Sequence, residues 1–188
     1  MRYFSASVVM ATMVACNSTE VAKFDNFKYE GYDDVYTDVN RDSAYCNPIL
    51  SGYYPDPSIC QKGDTYYIVN SSFTHFPSMP IFKSTDLIHW EQIGYVIDDP
   101  ATLSYDGLQV SEGIFAPTIR YNPHNDTFYV ITTCVECGGN FIVKSKDPES
   151  GEWSEPIWIP EVGGIDPSLF FDDDGSAYII NNDEPIGE

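Results

Sequence analysis

Positive charge is what this chain has least of. Its 188 residues carry 9 Lys and Arg against 29 Asp and Glu, a formal charge of −20. Arginine occurs only at Arg2, Arg41 and Arg120. A surface this negative repels phosphate backbones and anionic substrates, so it argues against nucleic acid and for a neutral ligand. Helical periodicity is also missing. From Asn47 onward no amphipathic stretch of helical length occurs, and short β-rich runs alternate with Gly, Pro, Asn and Asp. The apolar run near the N-terminus, Tyr3 to Val14, is too short to span a bilayer. Cysteine is sparse, at five residues. Cys134-Val135-Glu136-Cys137 has redox or zinc spacing, but Cys46 and Cys60 do not supply the second close pair that zinc requires. No βαβ pattern accompanies it either. The cysteines are therefore expected as small buried or turn residues, and neither a metal nor a cofactor is expected. Asp172-Asp173-Asp174-Gly175 lacks the alternating oxygens and distal Glu of an EF-hand calcium loop, so it is expected as a hairpin turn.

The first residues have the layout of a targeting segment. Arg2 is followed by the apolar run, and Met13-Val14-Ala15-Cys16 resembles a bacterial lipobox, in which the chain is cut before a cysteine that is then lipidated. This predicts a leader over 1–15, a lipidated Cys16 opening an acidic, solvated tether over 16–45, and a folded domain over 46–188. The expected location is outside the cytoplasm, as a periplasmic or outer-membrane lipoprotein that touches membrane only through its anchor.

What the chain has in abundance is repetition. Asp56-Pro57-Ser58-Ile59 is followed by Gly63-Asp64 and then Thr65-Tyr66-Tyr67-Ile68-Val69. Ala116-Pro117-Thr118-Ile119 precedes Asn125-Asp126 and Thr127-Phe128-Tyr129-Val130-Ile131; Asp166-Pro167-Ser168-Leu169 precedes Asp174-Gly175 and Ser176-Ala177-Tyr178-Ile179-Ile180. The steps are 60 and 50 residues, a period typical of stacked supersecondary units. Each copy predicts a hairpin with an acidic or glycine-containing turn. A second phrase follows the first two copies. Phe82-Lys83-Ser84-Thr85-Asp86 through Trp90 has its echo in Val143-Lys144-Ser145-Lys146-Asp147 through Trp153, a strand, a Ser-x-Asp turn and a Trp that opens the next strand. Four strands per unit is propeller geometry. The expectation is all-β, with two complete units and a third that holds only its inner hairpin. Because the smallest closed propellers have about four blades, the sequence reads as a fragment of a longer protein.

The first position of the repeated phrase is Asp, then Ala, then Asp, which singles out Asp56 and Asp166 as candidate catalytic carboxylates. Proline on both sides of Asp56 restricts the backbone, and Pro57 is expected to push Asp56 toward an extended conformation.

Gly52-Tyr53-Tyr54-Pro55-Asp56-Pro57-Ser58-Ile59, Asn70-Ser71-Ser72-Phe73, Pro80-Ile81-Phe82-Lys83-Ser84-Thr85-Asp86-Leu87, Gly113-Ile114-Phe115-Ala116-Pro117 and Gly164-Ile165-Asp166-Pro167-Ser168-Leu169-Phe170 resemble glycoside hydrolase family 43. The likeness runs in order from Asn47 to Glu188 and points to β-xylosidase and α-L-arabinofuranosidase types. It implies a five-bladed β-propeller, of which about two and a half blades are present, and inverting hydrolysis of xylan- or arabinoxylan-derived oligosaccharides. By the same resemblance Asp56 matches the general base. Asp166 matches the carboxylate that orients the general acid and keeps its pKa raised, and Phe73 and Phe115 match residues lining the sugar subsite. The slot of Phe115 often holds Trp in the family. The general acid, a Glu of a later blade, is implied to lie beyond Glu188. Glu112, Glu136, Glu161, Glu184 and Glu188 sit in no matching motif. The 188 residues alone are therefore expected to be inactive.

Two other readings use the same residues. A carbohydrate-binding propeller without an acid would keep the pocket and lose the chemistry. A sialidase-like propeller is suggested by the Ser-x-Asp…Trp turns, but it needs several arginines, and after the leader only Arg41 and Arg120 remain. His75, His89 and His124 are scattered and expected in turns or on the surface.

Overall fold

The computed structural model describes residues 44–45 and 47–182. The leader, Cys16, nearly all of the tether, Cys46, Glu184 and Glu188 lie outside the described residues. Among the described residues the fold is all-β, ten strands with a single 3-10 turn at Pro148–Ser150. In the first unit β1 (Ser58–Lys62), β2 (Thr65–Val69), β3 (Ser78–Ser84) and β4 (Glu91–Ile97) form one antiparallel meander in chain order. The second unit repeats it with β5 (Gly113–Asn122), β6 (Thr127–Val135), β7 (Gly139–Ser145) and β8 (Ile157–Trp158). The third is a hairpin of β9 (Ile165–Phe171) and β10 (Ala177–Asn182). The two complete units and the half unit expected from the repeats are present.

Local chemistry accounts for the turns. The three inner hairpins reverse where Gly63, Asp126 and Gly175 take φ values of +59°, +49° and +88°, a region that Gly, Asn and Asp enter at least cost. Asp172 to Ser176 close the third of these turns, as expected. The Ser-x-Asp phrases also act as turns. The Asp86 carboxylate accepts from the amides of Ile88 and His89, and the Asp147 carboxylate accepts from that of Glu149. The second outer strand is shorter than expected. It pairs only at Ile157 and Trp158, because Pro156 has no amide to offer the ladder; Ser154 extends the pairing through its side chain and main chain to Lys144.

The main core lies between the first two sheets. Val69, Met79, Ile81, Val96 and Ile97 of one unit pack in a single cluster with Ile114, Ile119, Phe128, Val130, Phe141 and Val143 of the other. At the rim Lys62 pairs with Asp126 at 2.5 Å and Lys83 with Glu149 at 2.6 Å, so both ion pairs cross from the first unit to the second. Tyr67 donates to Glu149; burial and that carboxylate push its phenol up to about 12, which keeps it a donor. Between the second and third units Tyr129 packs on Phe171, while Arg120 bonds Ser168 and His124 bonds the Asp172 carbonyl. Leu169 is buried there, while Phe170, Tyr178 and Ile180 on the outer face are exposed. β1 packs beside β5, and β5 beside β9, so the strand that carries the repeated phrase is the innermost of each unit.

Cys134 is buried and Cys137 lies in a turn, as expected, but the two do more than fill space. Cys134 and Cys137 form a disulfide across the β6–β7 turn, with Cα atoms 5.1 Å apart. Their three-residue separation suits this turn, which brings the Cα atoms into bonding range. Cys60 is a free thiol.

Candidate active site

Asp56, Ala116 and Asp166 share one unusual backbone. Their φ values are +51°, +34° and +56°. The expectation that Pro57 holds Asp56 extended is therefore wrong. A non-glycine residue in this region costs about 1–2 kcal/mol, and neighbouring hydrogen bonds secure it. In the second and third copies it coincides with a bulge. Pairing slips between Phe115 and Thr118 in β5, and β9 slips against Ile180 and Asn182. The slips coincide with Pro117 and Pro167, which cannot donate to a ladder and are tolerated at such irregularities. The Asp/Ala alternation thus sits on a structural feature common to all three copies.

A second recurrence holds this backbone in place. Val69, Ile131 and Ile180 pair with Ser58, Thr118 and Ser168, so the residues that follow occupy one register. Asn70 Nδ2 donates to the carbonyls of Tyr54 (2.9 Å) and Pro55 (3.3 Å). Thr132 Oγ1 donates to the Phe115 carbonyl at 2.7 Å, and Asn181 Nδ2 donates to that of Gly163. In every unit the side chain one residue past this pair clamps the main chain one to three residues ahead of the Asp/Ala position. Asn140 adds a further clamp on the third copy. Its amide reaches the carbonyls of Val162, Gly163 and Gly164, while its Oδ1 accepts from Thr133. No signal in the sequence distinguished these residues from ordinary strand polar groups.

The two carboxylates leave the protein at matching points. Asp56 and Asp166 are both exposed. Two residues further along, Ser58 and Ser168 meet on one side chain: Arg120 Nη1 donates to Ser58 Oγ at 3.2 Å and Nη2 to Ser168 Oγ at 3.4 Å. The guanidinium also donates to the Ile119 carbonyl at 2.7 Å. One arginine of the middle unit therefore joins the phrases of both its neighbours. Beside it, burial pushes the Cys60 thiol up to about 12, although Arg120 pulls the other way. A thiol shifted in that direction is a poor nucleophile.

Phe73 and Phe115 are brought together. Their rings lie edge to face with centroids 5.2 Å apart, a favoured aromatic geometry. Phe73 and Ile114 exchange two main-chain hydrogen bonds of 3.0 Å. Gly113 makes this approach possible, since a Cβ there would lie 2.5 Å from the Phe73 carbonyl oxygen. Tyr53 extends the cluster, with its ring 6.1 Å from Phe73 and 5.3 Å from His75. Next to it a hollow of about 230 Å³ is lined by Tyr53, Ser71, His75, Phe76 and Tyr95, among others. His89 is exposed and pairs with Asp86, and His124 bonds the Asp172 carbonyl, so the histidines are surface and turn residues, as expected. Among the described residues no group of three or more His, Cys, Asp or Glu is placed to hold a metal ion.

The family model for glycosyl hydrolases family 43 matches residues 45–188. A xylosidase/arabinosidase of Butyrivibrio fibrisolvens is 58% identical over 136 residues, covering 71% of this chain and 26% of the relative. A non-reducing end α-L-arabinofuranosidase of Bacteroides ovatus is 43% identical over 144 residues, covering 74% of this chain and 26% of that protein. Among solved structures, one described as a GH43_12 from capybara gut metagenome is 55% identical with a TM-score of 0.72, covering 84% of this chain and 30% of that one. The chain thus spans about a quarter of the length of the curated relatives it matches. Collinear motifs, a matching family model and relatives of this identity lead to one assignment: the chain belongs to glycosyl hydrolases family 43.

Proposed function

We propose that this chain contributes the base side of an inverting glycosidase that releases xylose or arabinofuranose from xylan-derived oligosaccharides. Asp56 is the general base: it takes a proton from water as that water attacks the anomeric carbon. Asp166 stands by the general acid, where its negative charge disfavours ionisation of the donor and keeps the proton available. Inverting chemistry separates base and acid by about 6.5–9.5 Å to admit the water. Carboxylates at the starts of the innermost strands of the first and third units suit opposite walls of one hollow. Phe73 and Phe115 offer an aromatic edge to a neutral sugar, and the chain's acidity suits an uncharged substrate. The architecture in this reading is a five-bladed propeller, with about two and a half blades within the 188 residues and the acid supplied by another blade. Export as a Cys16 lipoprotein completes the proposal.

The observation that carries this reading is the matched left-handed backbone at Asp56 and Asp166, joined through Ser58, Arg120 and Ser168. Asp56→Asn, made in the protein its full gene encodes, is expected to lower turnover of aryl xyloside or aryl arabinofuranoside by about 10²–10⁴-fold. Its thermal midpoint should stay close to that of the parent. Proton NMR of the first-formed sugar should show inverted configuration. Retained turnover in Asp56→Asn removes Asp56 from the base role, and a retained anomer removes the inverting mechanism. The 188-residue chain alone should leave aryl xyloside intact; ordinary turnover by it would place the acid within these residues.

A further inference from the structure

The side chain of Ser71 is buried, with 1% of its surface exposed, directly behind the exposed Asp56. Its Oγ lies 2.6 Å from Asp56 Oδ2 and 2.7 Å from the Ala116 amide nitrogen. The polarity of these two bonds is not free. An amide can only donate, so the hydroxyl must accept from Ala116; its single proton is then left for Asp56. The Ala116 amide has its own reason to be there. It lies where the ladder slips between Phe115 and Thr118, so Ser71 satisfies a donor that the sheet does not. The Ser71 main chain is pinned as well, its amide donating to the Pro55 carbonyl at 3.0 Å.

We infer that Ser71 is the positioning residue of the base: it commits Oδ2 of Asp56 to the protein and leaves Oδ1 to receive the proton of the attacking water. The inference rests on the assignment of Asp56 made above. Among the described residues Oδ1 has no hydrogen-bond partner. A carboxylate anchored by one oxygen loses rotation about its terminal torsion, and a reacting group held to a fraction of an ångström keeps the near-attack geometry on which rate depends. The same hydroxyl reaches Ala116, next to Phe115, so it also fixes the distance between the base and the aromatic edge. The neighbouring units show that this is not a general feature of the fold. At the register of Ser71 the second unit has Thr133, which faces no carboxylate and donates to Asn140 instead. The third unit has Asn182, paired with Ile165.

The test compares Ser71→Ala, Ser71→Cys and Ser71→Thr in the protein its full gene encodes, assayed on the aryl glycoside it cleaves. Alanine removes the donor, cysteine keeps the volume with a weaker donor, and threonine, which occupies this register in the second unit, restores the hydroxyl. Ser71→Ala and Ser71→Cys should lose about 10–100-fold in kcat with KM within about twofold, because the sugar contacts remain. Ser71→Thr should recover to within about threefold of the parent. Thr127→Ala, which deletes a buried hydroxyl bonded to the Asn125 carbonyl in a distant turn, should keep kcat and so control for stability. If alanine does not fold, cysteine carries the test. Parental kcat in folded Ser71→Cys or Ser71→Ala, with Asp56→Asn inactive, overturns the role of Ser71 alone. Turnover retained in Asp56→Asn overturns the base assignment beneath it.

Discussion

Asp56 and Asp166 occupy the same register in the first and third units, with the same left-handed backbone and a proline after each. They are gripped differently. At Asp56 the protein holds the carboxylate itself, through the buried Ser71 hydroxyl. At Asp166 it holds the preceding main chain, through the amides of Asn140 and Asn181. A group that must aim one oxygen at a water needs its torsion fixed. A group that acts by charge on a neighbour needs its position fixed, since a Coulomb term varies slowly with rotation of the carboxylate. The difference fits a base at 56 and an electrostatic partner at 166, and Ala116 shows that the backbone device persists without a carboxylate.

The strongest way to break the comparison is to remove the clamps. Asn140→Ala should be the most destabilising of these changes. It leaves the Thr133 hydroxyl and the carbonyls of Val162 and Gly164 without the amide they use, at about 1–3 kcal/mol for each buried group so stranded. Asn70→Ala should cost less. Its amide is used, but among the described residues Asn70 Oδ1 is buried without a hydrogen-bond partner, so its loss also removes a penalty. Chemical denaturation of both variants checks the order, and an Asn70 variant less stable than the Asn140 variant would mean the two clamps are not ranked by satisfied groups.

Acid sharpens a second contrast. The Lys83 ammonium holds Glu149, and the Lys62 ammonium holds Asp126, below the usual carboxylate range. A carboxylate with a depressed folded pKa stabilises the fold above its unfolded value, near 4, and that contribution drains as pH falls toward the folded value. The join between the first and second units is therefore expected to weaken from pH 6 to pH 3. Lys83→Gln should shrink the fall in thermal midpoint over that interval. An unchanged fall in the variant would show that Glu149 is protonated without consequence, as for many exposed pairs. The smallest effect is expected from Ala116→Gly, which keeps the amide bonded to Ser71 and relieves a φ of +34°. It should raise stability by up to about 1 kcal/mol, offset in part by added freedom in the unfolded chain.

Much of this architecture was legible in the residues. Period-two strands, Gly or Asp turns and the Ser-x-Asp phrase are local signals, and they placed two full units and an inner hairpin correctly. Other features were not legible because their partners are distant in sequence. Ser71 and Ala116 are 45 positions apart, and Arg120 and Ser58 are 62 apart. Nothing in Asn70-Ser71-Ser72 announces which serine meets the carboxylate. Asp56 misled for the opposite reason: the steric rule for a residue before proline is local, and hydrogen bonds from Asn70 and Ser71, distant in the chain, hold the backbone otherwise.

By itself the sequence determined the all-β meander, the register in which Asp, Ala and Asp recur, and the family likeness, because each is written in contacts between near neighbours. Only the tertiary structure decided the left-handed turn at those three positions, the disulfide across the β6–β7 turn, the aromatic pair opened by Gly113 and the hydroxyl behind Asp56. Those depend on how one sheet lies against the next, and packing of that kind is set by the whole set of buried surfaces and satisfied polar groups rather than by any short run of residues.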